Sequence, residues 1–250
     1  MRRPRLYVPN PLADTPNLTL TGDRAHYLGR VLRLKAGDEC LLFDGYGLDY
    51  PATVATAGRG TMTLRLGPPQ AVATESPLFS HLMLAVTRGS RMDVALQKAV
   101  ELGASALTPV FTERCGVNLE ARQVPRRLEH WQGIVRGAAE QCGRARIPRL
   151  APPVNLQEGL ERLPPAPATR LVLDPAGGGA LADIAPPADG VVILVGPEGG
   201  LTDGELAAAV RHGFRGITLG PRVLRAETAP LAVLAALQSL WGDFRPSPGP

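Results

Sequence analysis

The stretch Leu194-Val195-Gly196-Pro197-Glu198-Gly199-Gly200-Leu201-Thr202-Asp203-Gly204-Glu205 decides the fold class of this chain. Four apolar residues, Val191 to Leu194, lead into it and read as a buried strand. A turn rich in Gly and Pro follows. Thr202 and Glu205 then stand in the T-x-x-E relation of a capping box, which marks a helix start. A strand that ends in a glycine turn before a helix leaves main-chain N–H and C=O groups at the carboxyl edge of a sheet. That edge is where open α/β sheets bind ligands. Further on the pattern recurs: Ile217-Thr218-Leu219-Gly220 reads as a second strand, Pro221 to Ala226 as a loop, and about Thr228 to Trp241 as a long apolar helix.

Working outward, strand and helix signals alternate from Leu78 onward. Leu82 to Val86, Leu107 to Phe111 and Leu171-Val172-Leu173 read as strands. Asp93 to Leu102 and about Arg126 to Gln141 read as helices, the first with Met92, Leu96, Ala99 and Val100 on one face. Such alternation implies a mainly parallel sheet covered on both faces. Residues 1 to about 72 differ. Glu39 to Phe43, Ala52 to Val54 and Met62 to Leu66 are short apolar pieces separated by Gly, Pro and Asp turns, the pattern of a small β-rich unit. Arg24 to Leu34 reads as a short helix closed by Lys35-Ala36-Gly37-Asp38, and Gly67-Pro68-Pro69 to Pro77 as a linker. The expected division is therefore 1–72 and 73–250. Pro152-Pro153 and Pro164-Pro165 bracket a segment with no clear pattern. Gly177-Gly178-Gly179 reads as a flexible loop.

Composition bounds the function classes. The chain has 250 residues, 44% of them hydrophobic, enough to bury a real core. No apolar run reaches the roughly 18–20 residues that span a bilayer. The basic start Met1-Arg2-Arg3-Pro4-Arg5 lacks the apolar stretch of a signal peptide, so a cytoplasmic location is expected. Cys40, Cys115 and Cys142 form no C-x-x-C pair, which argues against a disulfide framework or a structural zinc site. The net charge of +4 is uneven, with 20 Lys/Arg against 13 Asp/Glu in residues 1–150 and 7 against 10 in the rest. Only Lys35 and Lys98 are lysines. Arginine suits phosphate and stacked-base contacts, so an anionic partner is expected at the first 150 residues.

"LVGPEGGLTDGE" followed by "LGPRVLRAETAPLAVLAAL" resembles the paired loops of the SPOUT methyltransferases, and more narrowly those of the bacterial 16S ribosomal RNA uridine-N3 methyltransferase family, RsmE. Arg5-Leu6-Tyr7, His26 to Arg33, Phe43-Asp44-Gly45, Gln97 to Gly103, Thr112-Glu113-Arg114 and Ala138 to Arg144 match that family's pattern as well. The resemblance implies an α/β, Rossmann-like parallel sheet with a C-terminal trefoil knot, preceded by a PUA-like RNA-binding β-barrel. It implies S-adenosylmethionine as cofactor, no metal, and a homodimer. The expected reaction is methylation of N3 of the uridine numbered 1498 in 16S rRNA, on the small ribosomal subunit. A SPOUT enzyme acting on another RNA, or a non-catalytic RNA-binding assembly factor, are the alternatives. A dinucleotide-dependent oxidoreductase has no G-x-G-x-x-G to support it.

S-adenosylmethionine presents an adenine edge, ribose hydroxyls, a zwitterionic end and a sulfonium cation. Glycine loops can reach these through main chain without side-chain obstruction. By resemblance the cofactor residues are Leu173, Val195, Gly196, Gly199, Gly200, Leu219, Gly220, Leu224, Glu227, Thr228 and Ala229. Uridine N3 exposes its lone pair only once its proton has left, so catalysis needs alignment, a proton acceptor and a cation near the developing oxygen charge. Arg225 is the expected cation. Glu227 or Glu198 accepts the proton or holds Arg225; helix-start stabilisation is the plainer reading of both. Arg5, Arg30, Arg33, Arg114 and Arg144 are the expected RNA contacts. Lys98 and Glu101 are placed for a structural ion pair. Leu231, Leu234, Ala235, Gln238 and Trp241 recur with helical period and read as core, part of them as interface.

Overall fold

The computed structural model describes residues 3–116, 121–164 and 168–244; Met1, Arg2 and Pro165, noted above, lie outside them. The chain divides into two compact units. One runs to Glu75 and takes in Ala139–Ile147, and the other is Ser76–Ala138 with everything from Pro148 on.

In the first unit, short alternating strands make a curled, open half-barrel. Its elements are β1 (Arg5–Tyr7), β2 (Asn17–Thr21), helix α1 (Gly22–His26), β3 (Glu39–Phe43), β4 (Leu48–Ala57), β5 (Thr61–Leu66) and β6 (Gln70–Ala71). The sheet order is β1-β3-β4-β5-β2, with β6 on β4. β1 joins β3 parallel, and the other pairs are antiparallel. Period-2 alternation sends Leu42, Val54, Met62 and Leu64 into one core with Leu6, Leu20 and Leu28. The expected helix over Arg24–Leu34 is shorter. After α1 the chain widens into a π-turn over Tyr27–Val31, with Leu32 N–H donating to the Tyr27 carbonyl at 2.9 Å. Arg33 then reverses it at φ 58°.

In the second unit the elements are β7 (Ser80–Ala85), α2 (Ser90–Glu101), β8 (Ala106–Phe111), α3 (Val124–Cys142, its end counted with the first unit), β9 (Arg149–Leu150), β10 (Val154–Asn155), α4 (Leu156–Glu161), β11 (Thr169–Leu173), β12 (Gly179–Ala180), β13 (Val191–Val195), α5 (Asp203–Arg211), β14 (Arg215–Thr218) and α6 (Thr228–Trp241). The strands follow the order β10-β8-β7-β13-β11-β14-β12, with β9 on β8, and every pair is parallel. All five residues of β13 are buried, as its unbroken apolar run requires of a central parallel strand. The apolar stripe of α2 packs on α6, where Val233, Leu234 and Leu237 are fully buried. Each such side chain contributes about 1.5–3 kcal/mol. Gln238, also buried, donates from Nε2 to the Leu102 carbonyl at 3.0 Å and accepts from the Ser76 hydroxyl at 2.7 Å, so this polar group ties α6 to the end of α2. Leu231, Ala235 and Trp241 are only half-buried.

The order β13-β11-β14 positions the site. Three parallel neighbours end at one edge, so the turns after Leu173, Val195 and Thr218 emerge side by side. The turn after β11 is not the loose loop expected of three glycines. It closes over Pro175–Gly177 and returns to β14 as β12. Gly178 lies so close to β14 that a Cβ there would stand 2.2 Å from the Ile217 carbonyl carbon.

Candidate cofactor and active site

The turn after β13 is held by its own main chain and by the turn after β8. Gly200 N–H donates to the Pro197 carbonyl at 2.9 Å, and Gly200 has φ 70°. A Cβ on Gly196 would press on Leu201 at 3.0 Å, and one on Gly199 on Arg114 at 3.1 Å. Arg114 donates to the carbonyls of Gly199 (3.0 Å) and Leu201 (3.4 Å), which braces the turn from outside. The capping box of α5 forms as the sequence signals: Glu205 N–H donates to Thr202 Oγ1 at 3.2 Å, and Thr202 N–H to Glu205 Oε2 at 2.8 Å. The other oxygen of Glu205 accepts from Glu113 N–H at 2.8 Å, so one buried carboxylate joins the β8 and β13 turns.

The turn after β14 begins with Gly220 at φ 79° and ends where the N–H groups of Thr228 and Ala229 donate to the Arg225 carbonyl, each at 2.9 Å. Leu219 and Leu224 are half-buried, as is Leu173 at the end of β11. The side chain of Val195 is sealed in the core at 1% exposure, which leaves its main chain for a ligand. The Arg225 side chain is 82% exposed with Nη1 4.0 Å from Glu227. Glu198 is paired to Arg91, at the start of α2, at 2.7 Å. That pairing, then the charge of Glu227, raises the Arg91 pKa. Two acids and two arginines therefore alternate along this edge. Two buried hydroxyls near it, those of Thr87 after β7 and Thr112 after β8, have no hydrogen-bond partner.

This donor set suits a ligand with a planar heterocycle, hydroxyls and a cation. Main-chain groups of two glycine turns serve the first two, leucines flank them, and two carboxylates favour the positive charge. No group of three or more His, Cys, Asp or Glu side chains among the described residues is placed to hold a metal ion.

The RNA methyltransferase domain family matches residues 74–238, and the RNA methyltransferase PUA domain family matches 20–67. The ribosomal RNA small subunit methyltransferase E of Buchnera aphidicola (subsp. Schizaphis graminum) is 31% identical over 97% of this chain and 98% of that one. The protein of the same name from Synechocystis is 37% identical over 89% of this chain and 73% of that one. The chain belongs to the ribosomal RNA small subunit methyltransferase E family. Among solved structures of similar proteins, the methyltransferase E of Neisseria gonorrhoeae, bound to S-adenosyl methionine, is 38% identical, with a TM-score of 0.92 over 98% of this chain and all of that one. A Legionella pneumophila protein in complex with the bound cofactor SAM is 35% identical, with the same TM-score over the same spans.

The sheet edge gathers Leu173 and Val195 at the ends of β11 and β13, Gly196, Glu198, Gly199 and Gly200 on the turn after β13, Leu219, Gly220, Leu224, Arg225 and Glu227 on the turn after β14, and Thr228 and Ala229 at the start of α6. Arg114 braces the turn after β13. Arg91 is the residue the sequence reading missed. Its partner Glu198 lies 107 positions away, and only the adjacency of β7 and β13 brings the two together.

In the first unit, Arg30 and Arg33 are exposed. Arg5 and Arg144 correct the expectation of phosphate contacts. Arg5 is 9% exposed, pairs with Asp49 at 2.5 Å, donates to the carbonyls of Ala139 (3.1 Å) and Arg144 (3.3 Å), and lies over the Phe43 ring. Arg144 is 5% exposed and pairs with Glu75 at 2.7 Å. Both guanidiniums serve the interior of the unit.

Proposed function

We propose that this chain is an S-adenosylmethionine-dependent methyltransferase of the small ribosomal subunit that methylates N3 of a uridine in 16S rRNA, position 1498 in the family's numbering. The observation that carries the reading is the meeting of two glycine turns with the Arg91–Glu198 and Arg225–Glu227 pairs on one sheet edge. When bound there, S-adenosylmethionine supplies an electrophilic methyl group.

The residues of the chain divide the remaining work. The main chain of Gly196, Gly199, Gly200 and Gly220 binds the adenosine part, with Leu173, Leu219 and Leu224 excluding water from it. Glu198 or Glu227 takes the proton from uridine N3. Arg225, exposed and only loosely paired, swings to the uridine carbonyl oxygen and stabilises the charge that develops when the proton leaves. Arg91 positions Glu198 through their 2.7 Å pair. Arg30 and Arg33 contact phosphate.

The division into an RNA-binding PUA-like domain over 1–72 and a catalytic domain over 73–250 is supported by the two family matches, 20–67 and 74–238. The C-terminal trefoil knot belongs to the same proposal, supported by the adjacency of β13, β11 and β14. So does a homodimer, for which the half-buried Leu231, Ala235 and Trp241 of α6 offer an apolar face. Among the described residues no helix is long and apolar enough to cross a membrane, and a cytoplasmic enzyme meets its ribosomal substrate directly.

The test is transfer of a labelled methyl group to small subunits from a strain lacking the activity, followed by nucleoside analysis. N3-methyluridine as the sole labelled product supports the proposal. Label in another RNA keeps the chemistry and discards the target. Binding of S-adenosylmethionine without transfer to any RNA points to an assembly factor.

A further inference from the structure

The turn between β3 and β4 presents a tyrosine to solvent and holds it there. Tyr46 is 65% exposed, although burying an aromatic ring is one of the larger gains open to a fold. Its turn is fixed from several sides. Buried Asp44 accepts from the N–H of Tyr46 (3.1 Å), the N–H of Leu12 (3.1 Å) and the Tyr50 hydroxyl (3.3 Å). Gly45 and Gly47, on either side, have φ of 89° and 102°, values that favour glycine. Gly47 N–H donates to the Ala145 carbonyl at 3.0 Å, and Tyr46 forms an antiparallel bridge with Arg146.

The bridge gives the tyrosine a charged neighbour. Residues directly opposed in an antiparallel pair project to the same face, with Cβ atoms about 4.5–5.5 Å apart. Arg146 is exposed, and its guanidinium lies across Gly47, where an added Cβ would meet Nε at 3.1 Å. Its main-chain N–H donates to Glu75 at 3.2 Å. The guanidinium itself has no carboxylate or hydrogen-bond partner among the described residues. Tyr46 stands between Gly45 and Gly47 and beside Arg146. A flat π face next to an unneutralised, planar cation is suited to an unpaired nucleobase and its phosphate.

We propose that Tyr46 and Arg146 form a docking point for one unpaired nucleotide of the RNA substrate other than the methylated uridine, with the base stacked on the tyrosine ring and the phosphate on the guanidinium. The proposal rests on the reading of the chain as an RNA methyltransferase. The pair sets affinity for RNA and leaves the methyl-transfer step alone.

The full chain and its Tyr46→Ala, Tyr46→Trp and Arg146→Gln variants are compared in methyl transfer to small subunits, and in binding a short, fluorescently labelled, single-stranded oligoribonucleotide at several salt concentrations. Tyr46→Ala is expected to raise KM for subunits and weaken oligoribonucleotide binding by roughly 5- to 100-fold, with kcat unchanged. Tyr46→Trp is expected to restore both, and its indole emission to be quenched on RNA addition. Arg146→Gln is expected to lower the salt slope of binding by about one phosphate contact. Wild-type KM in Tyr46→Ala, or a Tyr46→Trp variant as weak as the alanine one, overturns the proposal. Should the wild type transfer no methyl group, the functional reading fails. Oligoribonucleotide binding still decides the docking point, because equal affinity of wild type and Tyr46→Ala excludes it.

Discussion

In the β unit the guanidiniums of Arg5 and Arg144 turn inward, their side chains 5% and 6% exposed, onto Asp49 and Glu75. In the parallel-sheet unit those of Arg91 and Arg225 stand at the carboxyl edge, 48% and 82% exposed, facing Glu198 and Glu227. Both units pair arginine with a carboxylate, yet solvent makes the pairs different objects. A buried pair is costly to break because the abandoned charge stays in a poor solvent. An exposed pair contributes little to stability and is free to exchange its partner for a substrate oxygen. The burial of each arginine, more than its identity, sorts framework from site.

The sharpest way to break this contrast is Arg5→Ala. It strands Asp49 and is expected to cost about 3–5 kcal/mol in denaturant unfolding. A loss below about 1 kcal/mol would mean the pair is not a framework element. Arg225→Ala is the mirror experiment. Unfolding should match wild type, while kcat falls about 10²–10³-fold through loss of the cation near the developing oxygen charge.

Acid acts on the parallel-sheet unit through one histidine. His81, in β7, is held down to about 4 from an ordinary 6.5, by burial first and then by the charge of Arg149. Between those values the unfolded chain binds more protons than the folded one. Stability contributed by the neutral ring is therefore full above 6.5 and is lost as pH falls through about 4. The ceiling is about 3 kcal/mol, less to the extent that water reaches the half-buried ring. Unfolding of His81→Gln should be flatter than wild type across that window; an unchanged slope would place the acid sensitivity elsewhere.

Gly220→Ala probes the site turn without a clash, since no atom lies within 4 Å of the added Cβ while φ stays at 79°. The cost is about 1–2 kcal/mol of backbone strain, expected as weaker S-adenosylmethionine binding by calorimetry. The smallest effect is expected for Arg91→Ala: a few-fold loss of kcat/KM with unfolding unchanged, as befits an exposed pair.

The local signals explain which parts of the fold could be read in advance. The capping box of α5, the apolar run of β13 and the helical period from Thr228 to Trp241 each lie within one short segment, and each element stands where its segment indicates. The π-turn after α1 escaped because its i→i+5 bond follows neither the period of a helix nor that of a strand. The burial of Arg5 depends on carbonyls of Ala139 and Arg144, more than a hundred residues on, and no local pattern announces it. Arg91 escaped for the same reason. The glycine triplet misled differently. Glycine marks both a loose loop and a backbone pressed against its neighbour, and Gly178 is the second kind.

Reverse transcription of 16S rRNA from a strain lacking the activity and carrying this chain reads the reaction at its product. N3–H is the donor that uridine uses in base pairing, so its methylation blocks copying at that nucleotide. One new stop is expected at the family's uridine, present with the wild-type chain and lost with Arg225→Ala. A stop at another nucleotide, or none at normal expression of the folded protein, would contradict the proposed methylation.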